Sequence, residues 1–138
     1  MYMPTEIISG LWIGDINGSF DNNFLKDNNI TILINCTLNY GFPDINVKKL
    51  RIPLSNNLTP SEDLILLKKN KDKIIDYIYE NIEFSNIFIY CYDGLLISPL
   101  IVSLFLIIKG NISKDNIRSI LQSKNNKIIL DVDLSEFV

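Results

Sequence analysis

The chain has 138 residues, with 13 basic and 16 acidic side chains, a formal net charge of −3 and no histidine. Its length suits a single domain, residues 1–138, and its acidic balance excludes the positive footprint of a nucleic-acid-binding protein. Two distant cysteines, Cys36 and Cys91, are too few for a disulfide framework and, without histidine, do not make a zinc site. We therefore expect free thiols, no metal and no cofactor.

The sequence also bears on the compartment. No basic and apolar leader opens it, which favours an intracellular, cytoplasmic protein. The apolar stretch from Leu95 to Ile108 is shorter than the roughly 20 residues that cross a bilayer, and Ser98, Pro99 and Ser103 interrupt it. We interpret this stretch as a buried core helix and expect no membrane partner.

The first part of the chain is dominated by strand patterns. The segment EIISGLWIG, Glu6 to Gly14, predicts two strands around a glycine turn, and a short helix is predicted from Phe20 to Lys26. The run ITILINCT, from Ile30 to Thr37, is continuously apolar, which is typical of a central parallel strand covered on both faces. A further strand is predicted from Val47 to Leu54.

A helix start follows this strand. Thr59 is predicted as its N-cap, Pro60 fits the first helical position and Glu62 completes a capping box, so the helix should run to about Ile82. The basic run KKNKDK, residues 68–73, has two interpretations, a solvated helix face or a patch where a partner docks. We favour the solvated face.

The last part of the chain alternates in the same way. A strand is predicted from Asn86 to Tyr90, the apolar helix from Ser98, a helix capped by Ser113 and a last short helix from Asp131 to Phe137. Strands that alternate with helices in this order predict an α/β protein, with a central, mostly parallel sheet flanked by helices on both faces.

The stretch FIYCYDGLLISP, residues 88–99, carries the chemistry of the sequence. A loop that joins a buried strand to a helix N-terminus directs backbone N–H groups and the positive end of the helix dipole at one spot, which binds anions. A cysteine at that spot, here Cys91, has its pKa lowered towards the nucleophilic thiolate, and Gly94 lets the loop turn tightly. The layout predicts a phosphate-binding catalytic loop.

These residues resemble the cysteine-dependent dual-specificity phosphatases, whose signature is H-C-x-x-x-x-x-R-[S/T]. Cys91, Gly94, Ser98 and Pro99 occupy the expected positions, and the segments SGLWIGD, ITILINCT, LRIPLSNN and KNNKIILDVDL are similar to their counterparts in order and spacing. The resemblance therefore implies a dual-specificity phosphatase-like fold over nearly the whole chain. Some members of this family are viral, and a sequence rich in Ile, Asn and Lys fits an AT-rich viral or protist source.

The departures from the signature concern the residues that do the chemistry. Ile97 replaces the family's arginine, Tyr90 replaces the histidine before the nucleophile, and Asn56 stands at the position of the general-acid aspartate. Leu96 replaces a residue that is commonly polar, and Asp93 adds a negative charge that opposes a thiolate at Cys91. The degenerate loop comprises Cys91, Tyr92, Asp93, Gly94, Leu95, Leu96, Ile97 and Ser98.

The losses are large enough to decide between an enzyme and a binding protein. Removing a donor that stabilises the transition state typically costs about 10²–10³ in rate, and removing a general acid costs about 10²–10⁴. We therefore expect a catalytically inactive pseudophosphatase with Cys91 as a vestigial nucleophile. The alternatives are a weak or atypical cysteine-dependent phosphatase and a structural or oligomerising subunit.

A pseudophosphatase would act by binding a protein. The expected partner is a phosphoprotein or a component of a phosphatase or kinase pathway, and the oligomerising alternative predicts a homodimer. We interpret Cys36 as a core thiol, and Cys91 either as a packed residue of the strand end or as a redox-sensitive thiol. Tyr90 and Tyr92 flank Cys91 and either fill the pocket or form an exposed aromatic surface.

Overall fold

A computed structural model of the protein describes residues 3–138. Its strands are β1 (Thr5–Ile8), β2 (Leu11–Asp15), β3 (Ile30–Asn35), β4 (Lys48–Arg51) and β5 (Asn86–Cys91). Its α-helices are α1 (Ile16–Ser19), α2 (Asn22–Asp27), α3 (Asp63–Asn81), α4 (Ile97–Ile108) and α5 (Ile117–Lys124). A 3₁₀ turn at Leu134–Glu136 lies near the end of the chain.

The strands form one five-stranded sheet in the order β1-β2-β5-β3-β4. β1 is antiparallel to β2, and the other neighbours are parallel. β3 and β5 are the continuously apolar runs of the sequence, and they occupy central positions because side chains on both of their faces are buried. The predicted α/β class and mostly parallel sheet are confirmed.

Helices cover both faces of this sheet, as predicted. On one face, Leu25 and Phe24 of α2 pack on Leu33, Phe88 and Tyr90. The rings of Phe24 and Phe88 meet edge-on, with centroids 5.1 Å apart. The other face carries the larger core, where α3, α4 and α5 bury their apolar stripes against the sheet. The fold therefore has three layers of unequal depth.

The apolar helix α4 lies inside the larger core. Its residues from Ile97 to Leu106 are all buried, including Ser98 and Ser103, whose hydroxyls find hydrogen-bond acceptors or donors within the chain. This burial confirms the prediction of a core helix. Among the described residues, no helix combines the length and the apolar character that a membrane crossing requires.

The predicted capping box at the start of α3 is wrong by one residue. The helix begins at Asp63, and Glu62 makes no side-chain capping bond. Asp63 takes the role given to Glu62, because its Oδ2 accepts from the Thr59 N–H at 2.7 Å while Thr59 Oγ1 accepts from the Asp63 N–H at 3.3 Å. Pro60 therefore lies in a turn before the helix and not at its first position.

Three other predicted boundaries shift. The helix predicted from Phe20 to Lys26 corresponds to α2, which begins two residues later and ends one residue later, and the sequence analysis did not predict α1; an aspartate caps each of the two helices. Ser113 caps a turn, where its hydroxyl accepts from the Asp115 N–H, and α5 begins later, at Ile117. β4 is shorter than the predicted strand, since the chain leaves the sheet after Arg51.

Candidate active-site loop

The Cys91 loop joins the end of β5 to the start of α4, as the sequence predicts. The strand ends at Cys91 and the helix begins at Ile97, so the loop lies at the carboxyl edge of the sheet between two parallel neighbours, β2 and β3. Gly94 has a φ of 74°, in the left-handed region that favours glycine. The backbone thus has the form of an anion-binding loop.

Hydrogen bonds surround the Cys91 thiol. Its Sγ accepts from the N–H groups of Gly94 at 3.2 Å and Ser98 at 3.3 Å, and it lies 3.3 Å from the Ser98 hydroxyl. These three contacts would stabilise a thiolate. The same side chain, however, is completely buried.

Burial dominates the acidity of Cys91. Desolvation raises the pKa of the thiol above its ordinary value, the hydrogen bonds from Ser98 and Gly94 only partly offset this effect, and the nearby Asp93 carboxylate raises the pKa further. Burial likewise raises the pKa of Cys36, a neighbour of Cys91 across the sheet. The expectation of a lowered pKa at the helix N-terminus is therefore wrong for Cys91, which is a thiol at neutral pH.

The Asp93 carboxylate accepts a hydrogen bond from a backbone N–H group of the loop. Its Oδ1 accepts from the Leu95 N–H at 2.9 Å, while the side chain as a whole is exposed. In an anion-binding loop such an N–H group is available to the ligand. Here the chain supplies its own anion at that donor, and its negative charge would repel an incoming phosphate.

The degenerate arginine position faces inward. Ile97 is 1% exposed and belongs to the larger core, so the loop has neither a cation nor an open side-chain position there. Two cations beyond the loop have other partners: Lys109 pairs with Asp76 at 3.1 Å, and Arg118 donates to the Leu130 carbonyl at 2.9 Å. Leu95 and Leu96 complete an apolar stretch before the helix.

Tyr90 is remote from the Cys91 thiol, because successive side chains of a strand point to opposite faces. Its ring is completely buried in the smaller cluster and stacks on Phe88 at 5.5 Å. The two nearby polar side chains are engaged elsewhere: Ser19 donates to the Ile16 carbonyl and Asn35 bonds Thr37 and Tyr40.

Ser19 and Asn35 lie close enough to lower the pKa of Tyr90 slightly, but no contact of its buried hydroxyl has the geometry of a hydrogen bond among residues 3–138. Burial raises its pKa to about 12. Both predicted alternatives for Tyr90, filling the pocket or forming an exposed aromatic surface, are wrong. Tyr90 packs in the smaller core cluster, on the face of the sheet away from the Cys91 thiol.

The segment after β4 carries the degenerate acid position. Asn56 is exposed in a turn, and the carboxylate that organises the segment is Asp63, which accepts from the N–H and hydroxyl groups of both Ser55 and Thr59. Burial raises the pKa of Asp63, but these hydrogen bonds outweigh it and hold the pKa below its ordinary value. Asp63 therefore stays ionised and does not serve as a proton donor.

Tyr92 ties the loop to two other segments. Its hydroxyl donates to the Leu54 carbonyl at 2.8 Å and accepts from the Leu38 N–H at 3.0 Å. Its ring meets the Tyr40 ring edge-on, with centroids 6.0 Å apart. With Leu38 45% and Tyr40 50% exposed beside Asp93, these residues form a surface at the loop. We call Leu38, Tyr40, Tyr92 and Asp93 the tyrosine surface.

Sequence reasoning missed two organisers of this region, Asp63 and the Tyr92 hydroxyl. The S-x-x-x-T-x-x-x-D spacing of residues 55–63 was a usable signal for Asp63. The two residues that donate to it, Ser55 and Thr59, lie only eight and four residues before it in sequence. Tyr92 offered no such signal. Its partners lie 38 and 54 residues away in sequence.

The sheet order, the cysteine loop and the buried helix that follows it define the fold of the cysteine-dependent dual-specificity phosphatases. No protein-family model matches the sequence, and no curated protein matches it. Solved structures do match, and they confirm the predicted resemblance at the level of the fold.

Three of these structures illustrate the similarity. Human DUSP28 superposes with a TM-score of 0.81 at 15% identity, over 93% of this chain and 84% of that chain. The human tyrosine phosphatase-like serine/threonine/tyrosine-interacting protein gives 0.78 at 14%, over 94% and 88%. A leucine-rich repeat and phosphatase domain protein from Entamoeba histolytica gives 0.75 at 21%, over 97% and 84%.

Proposed function

We propose that this protein is a pseudophosphatase, which keeps the fold of a dual-specificity phosphatase, does not hydrolyse phosphate esters and acts by binding another protein. One observation carries the proposal. The loop retains the backbone of an anion site, yet Ile97 is buried at the arginine position and the Asp93 carboxylate takes the Leu95 N–H. The loop therefore lacks the positive charge that phosphoryl transfer requires.

The tyrosine surface is the binding surface in this proposal. It combines exposed apolar and aromatic side chains, which are enriched in protein interfaces, with a hydroxyl that is already hydrogen-bonded within the chain. Asp93 contributes a negative charge, and the Arg51 guanidinium, which bonds the Leu38 and Tyr40 carbonyls, contributes a positive charge behind it, so we expect a partner whose contact region is mostly apolar. The partner's phosphate is not needed for this contact. The tyrosine-phosphatase-like interacting protein among the structural neighbours supports such a role by analogy.

Hydrolysis of para-nitrophenyl phosphate tests the absence of catalysis. We expect wild type and Cys91→Ser to give the same background rate, because the thiol is protonated and no cation faces it. The variant Ile97→Arg with Asn56→Asp should gain turnover that Cys91→Ser abolishes, provided its melting curve shows that it folds. A wild-type rate above that of Cys91→Ser would contradict the proposal, whether or not the revertant folds.

Affinity capture tests the binding surface. A partner that belongs to the tyrosine surface should be lost from Leu38→Ser with Tyr40→Ser and retained by Phe84→Ser, a matched control at a side chain 84% exposed on another part of the molecule. Retention by the tyrosine-surface variant would place binding elsewhere.

A weak cysteine-dependent phosphatase is the second candidate, and one observation favours it. Three hydrogen-bonding groups converge on Cys91 Sγ in the arrangement that a thiolate needs. The candidate requires a substrate that brings its own cation, such as a phosphorylated peptide with a neighbouring arginine. A cysteine-dependent rate on such a peptide, absent with para-nitrophenyl phosphate, would establish it.

A further inference from the structure

A groove lies between the edge strand β4 and helix α3, away from the Cys91 loop. Its volume is about 500 Å³. It is lined by Leu50, Arg51, Ile52, Pro53, Leu66, Asn70, Lys73, Ile74 and Tyr77. The strand side contributes consecutive residues and the helix side contributes one stripe of α3, and most of these side chains are apolar. The groove runs along the strand.

The strand side of the groove has unpaired backbone groups. β4 is the last strand of the sheet, and the Ile52 N–H donates inward to the Asn35 carbonyl at 2.9 Å. Because backbone direction alternates along a strand, the N–H and C=O groups of Lys49 and Arg51 point outward, where no other strand of residues 3–138 pairs with them. Such an edge can accept a further strand.

The two faces of an added strand would meet different chemistry. On the α3 face, its side chains would enter the groove beside Leu50 and Ile52, which pack with the larger core. On the opposite face, they would meet Lys49 and Arg51, whose guanidinium lies over the Phe42 ring of the smaller cluster, 5.2 Å from its centroid. Alternate positions of the added strand therefore face a mostly apolar groove, which also contains Asn70 and Lys73 of α3, and a cationic surface.

These cations have no carboxylate partner among residues 3–138. In the part of the chain that the structure describes, the ion pairs are Lys68–Glu136 and Lys109–Asp76. Arg51 donates to the carbonyls of Thr37, Leu38 and Tyr40, which leaves its charge uncompensated. The edge is thus locally positive on a chain of net charge −3.

We propose that the β4–α3 groove binds an extended peptide segment of a partner protein, in which aliphatic residues alternate with acidic residues, as an additional strand on β4. Main-chain hydrogen bonds to Lys49 and Arg51 hold the segment, the aliphatic side chains fill the groove, and the acidic side chains pair with the exposed cations. The groove adjoins the tyrosine surface through Arg51, whose guanidinium bonds the Leu38 and Tyr40 carbonyls, but the two share no side chain, so this proposal does not rest on the proposed function.

A second copy of this chain is a poorer occupant of the same edge. Two β4 strands paired about a two-fold axis would be antiparallel, which sets Lys49 or Arg51 of one copy opposite Lys49 or Arg51 of the other. Like charges directly opposite each other destabilise a strand pair. An acidic peptide has the complementary charge.

The test uses a displayed library of random nine-residue peptides as the probe and the full chain as the target. We expect enriched peptides in which aliphatic and acidic residues alternate, and a synthetic copy of one should shift the amide resonances of Lys49 and Arg51. N-methylation at alternate positions should abolish binding, because it removes the main-chain donors. Failure to enrich any peptide, or enrichment without acidic residues, would overturn the proposal.

Charge reversal identifies the site. Lys49→Glu should weaken the peptide about fivefold, and replacing one glutamate of the peptide by lysine should restore binding to that variant. Lys124→Glu, an exposed lysine of α5, is the matched control and should bind as wild type does. Equal binding to Lys49→Glu and wild type would overturn the proposal, as would a dimer of this chain that Lys49→Glu stabilises.

Discussion

The Cys91 loop and the β4–α3 groove lie on the same sheet, but they differ in whether their polar groups have hydrogen-bond partners within the chain. In the loop, the thiol, the Asp93 carboxylate and the Tyr92 hydroxyl all have hydrogen-bond partners within the chain. In the groove, the outer backbone of β4 and the Lys49 ammonium have none among the described residues. A site with the architecture of catalysis is thus closed, while a site without catalytic residues is open to a ligand.

The largest expected effect is on the reactivity of the cysteine thiols. Fast alkylation of Cys91 would show that the loop is open, as the groove is. Because burial raises the pKa of both Cys91 and Cys36, iodoacetamide at pH 7 should label the folded protein at least ~10-fold more slowly than it labels glutathione. Labelling should become fast for both cysteines in denaturant. Mass spectrometry locates the adducts, and rapid labelling of Cys91 alone at pH 7 would contradict a closed loop.

Asp63 connects the two regions, because it holds the segment after β4 against the start of α3. Its pKa is lowered in the folded state, so its contribution to stability is present above the unfolded value of about 3.9 and is lost as the pH falls through the lower folded value. We expect Asp63→Asn to lower the free energy of unfolding by about 1–3 kcal/mol at pH 7.

Urea unfolding at pH 7 and at a pH below the folded pKa would measure this effect. The difference between Asp63→Asn and wild type should shrink in acid, and Asp72→Asn, an exposed aspartate of α3, should match wild type at both pH values. A difference that is constant with pH would show that the ionised carboxylate is not the cause.

Tyr92→Phe tests whether the Tyr92 hydroxyl orders the segments next to the Cys91 loop. The change removes the hydroxyl that joins Leu54 and Leu38 and leaves the ring contact with Tyr40 in place. We expect a loss of about 1 kcal/mol in unfolding free energy and faster amide exchange at Leu38, because these bonds lie at a partly exposed surface. Unchanged exchange at Leu38 would mean that the bond does not order this segment.

Tyr90→Phe should have the smallest effect. Its hydroxyl is buried without a partner among residues 3–138, so its removal loses no hydrogen bond and relieves the desolvation of a polar group. The unfolding free energy should stay the same or rise by up to about 1 kcal/mol. With a pKa of about 12, Tyr90 should also show no titration below pH 10. A loss above 1 kcal/mol would reveal a partner for the hydroxyl.

The sequence predicted the fold well where the signal lay in neighbouring residues. The strongly apolar runs of β3, β5 and α4 are typical of elements buried on both faces of a sheet or inside a core, and their order then leaves few sheet topologies. The resemblance to the phosphatase signature implied the positions of Cys91, Gly94 and Ser98 in the loop, where the Cys91 thiol accepts from both backbone N–H groups.

The rest depended on distances that the sequence does not contain. The pKa of Cys91 is set by competition between burial, which raises it, and three hydrogen bonds, which lower it, and the sequence analysis did not predict that burial outweighs these bonds. The roles of Asp63 and Tyr92 depend on groups that folding brings together. The capping error at Glu62 arose because Asp63, one residue later, makes the same contact.

The Tyr92 hydroxyl has a consequence for how fast and how tightly the partner proposed for the tyrosine surface would bind. Since it fastens the loop to the segments of Leu38 and Leu54 before any partner arrives, the tyrosine surface loses little conformational entropy on association. Docking is then close to rigid-body, and the association rate is limited by orientation and steering. Substitutions on this surface should therefore alter the lifetime of a complex more than its rate of formation.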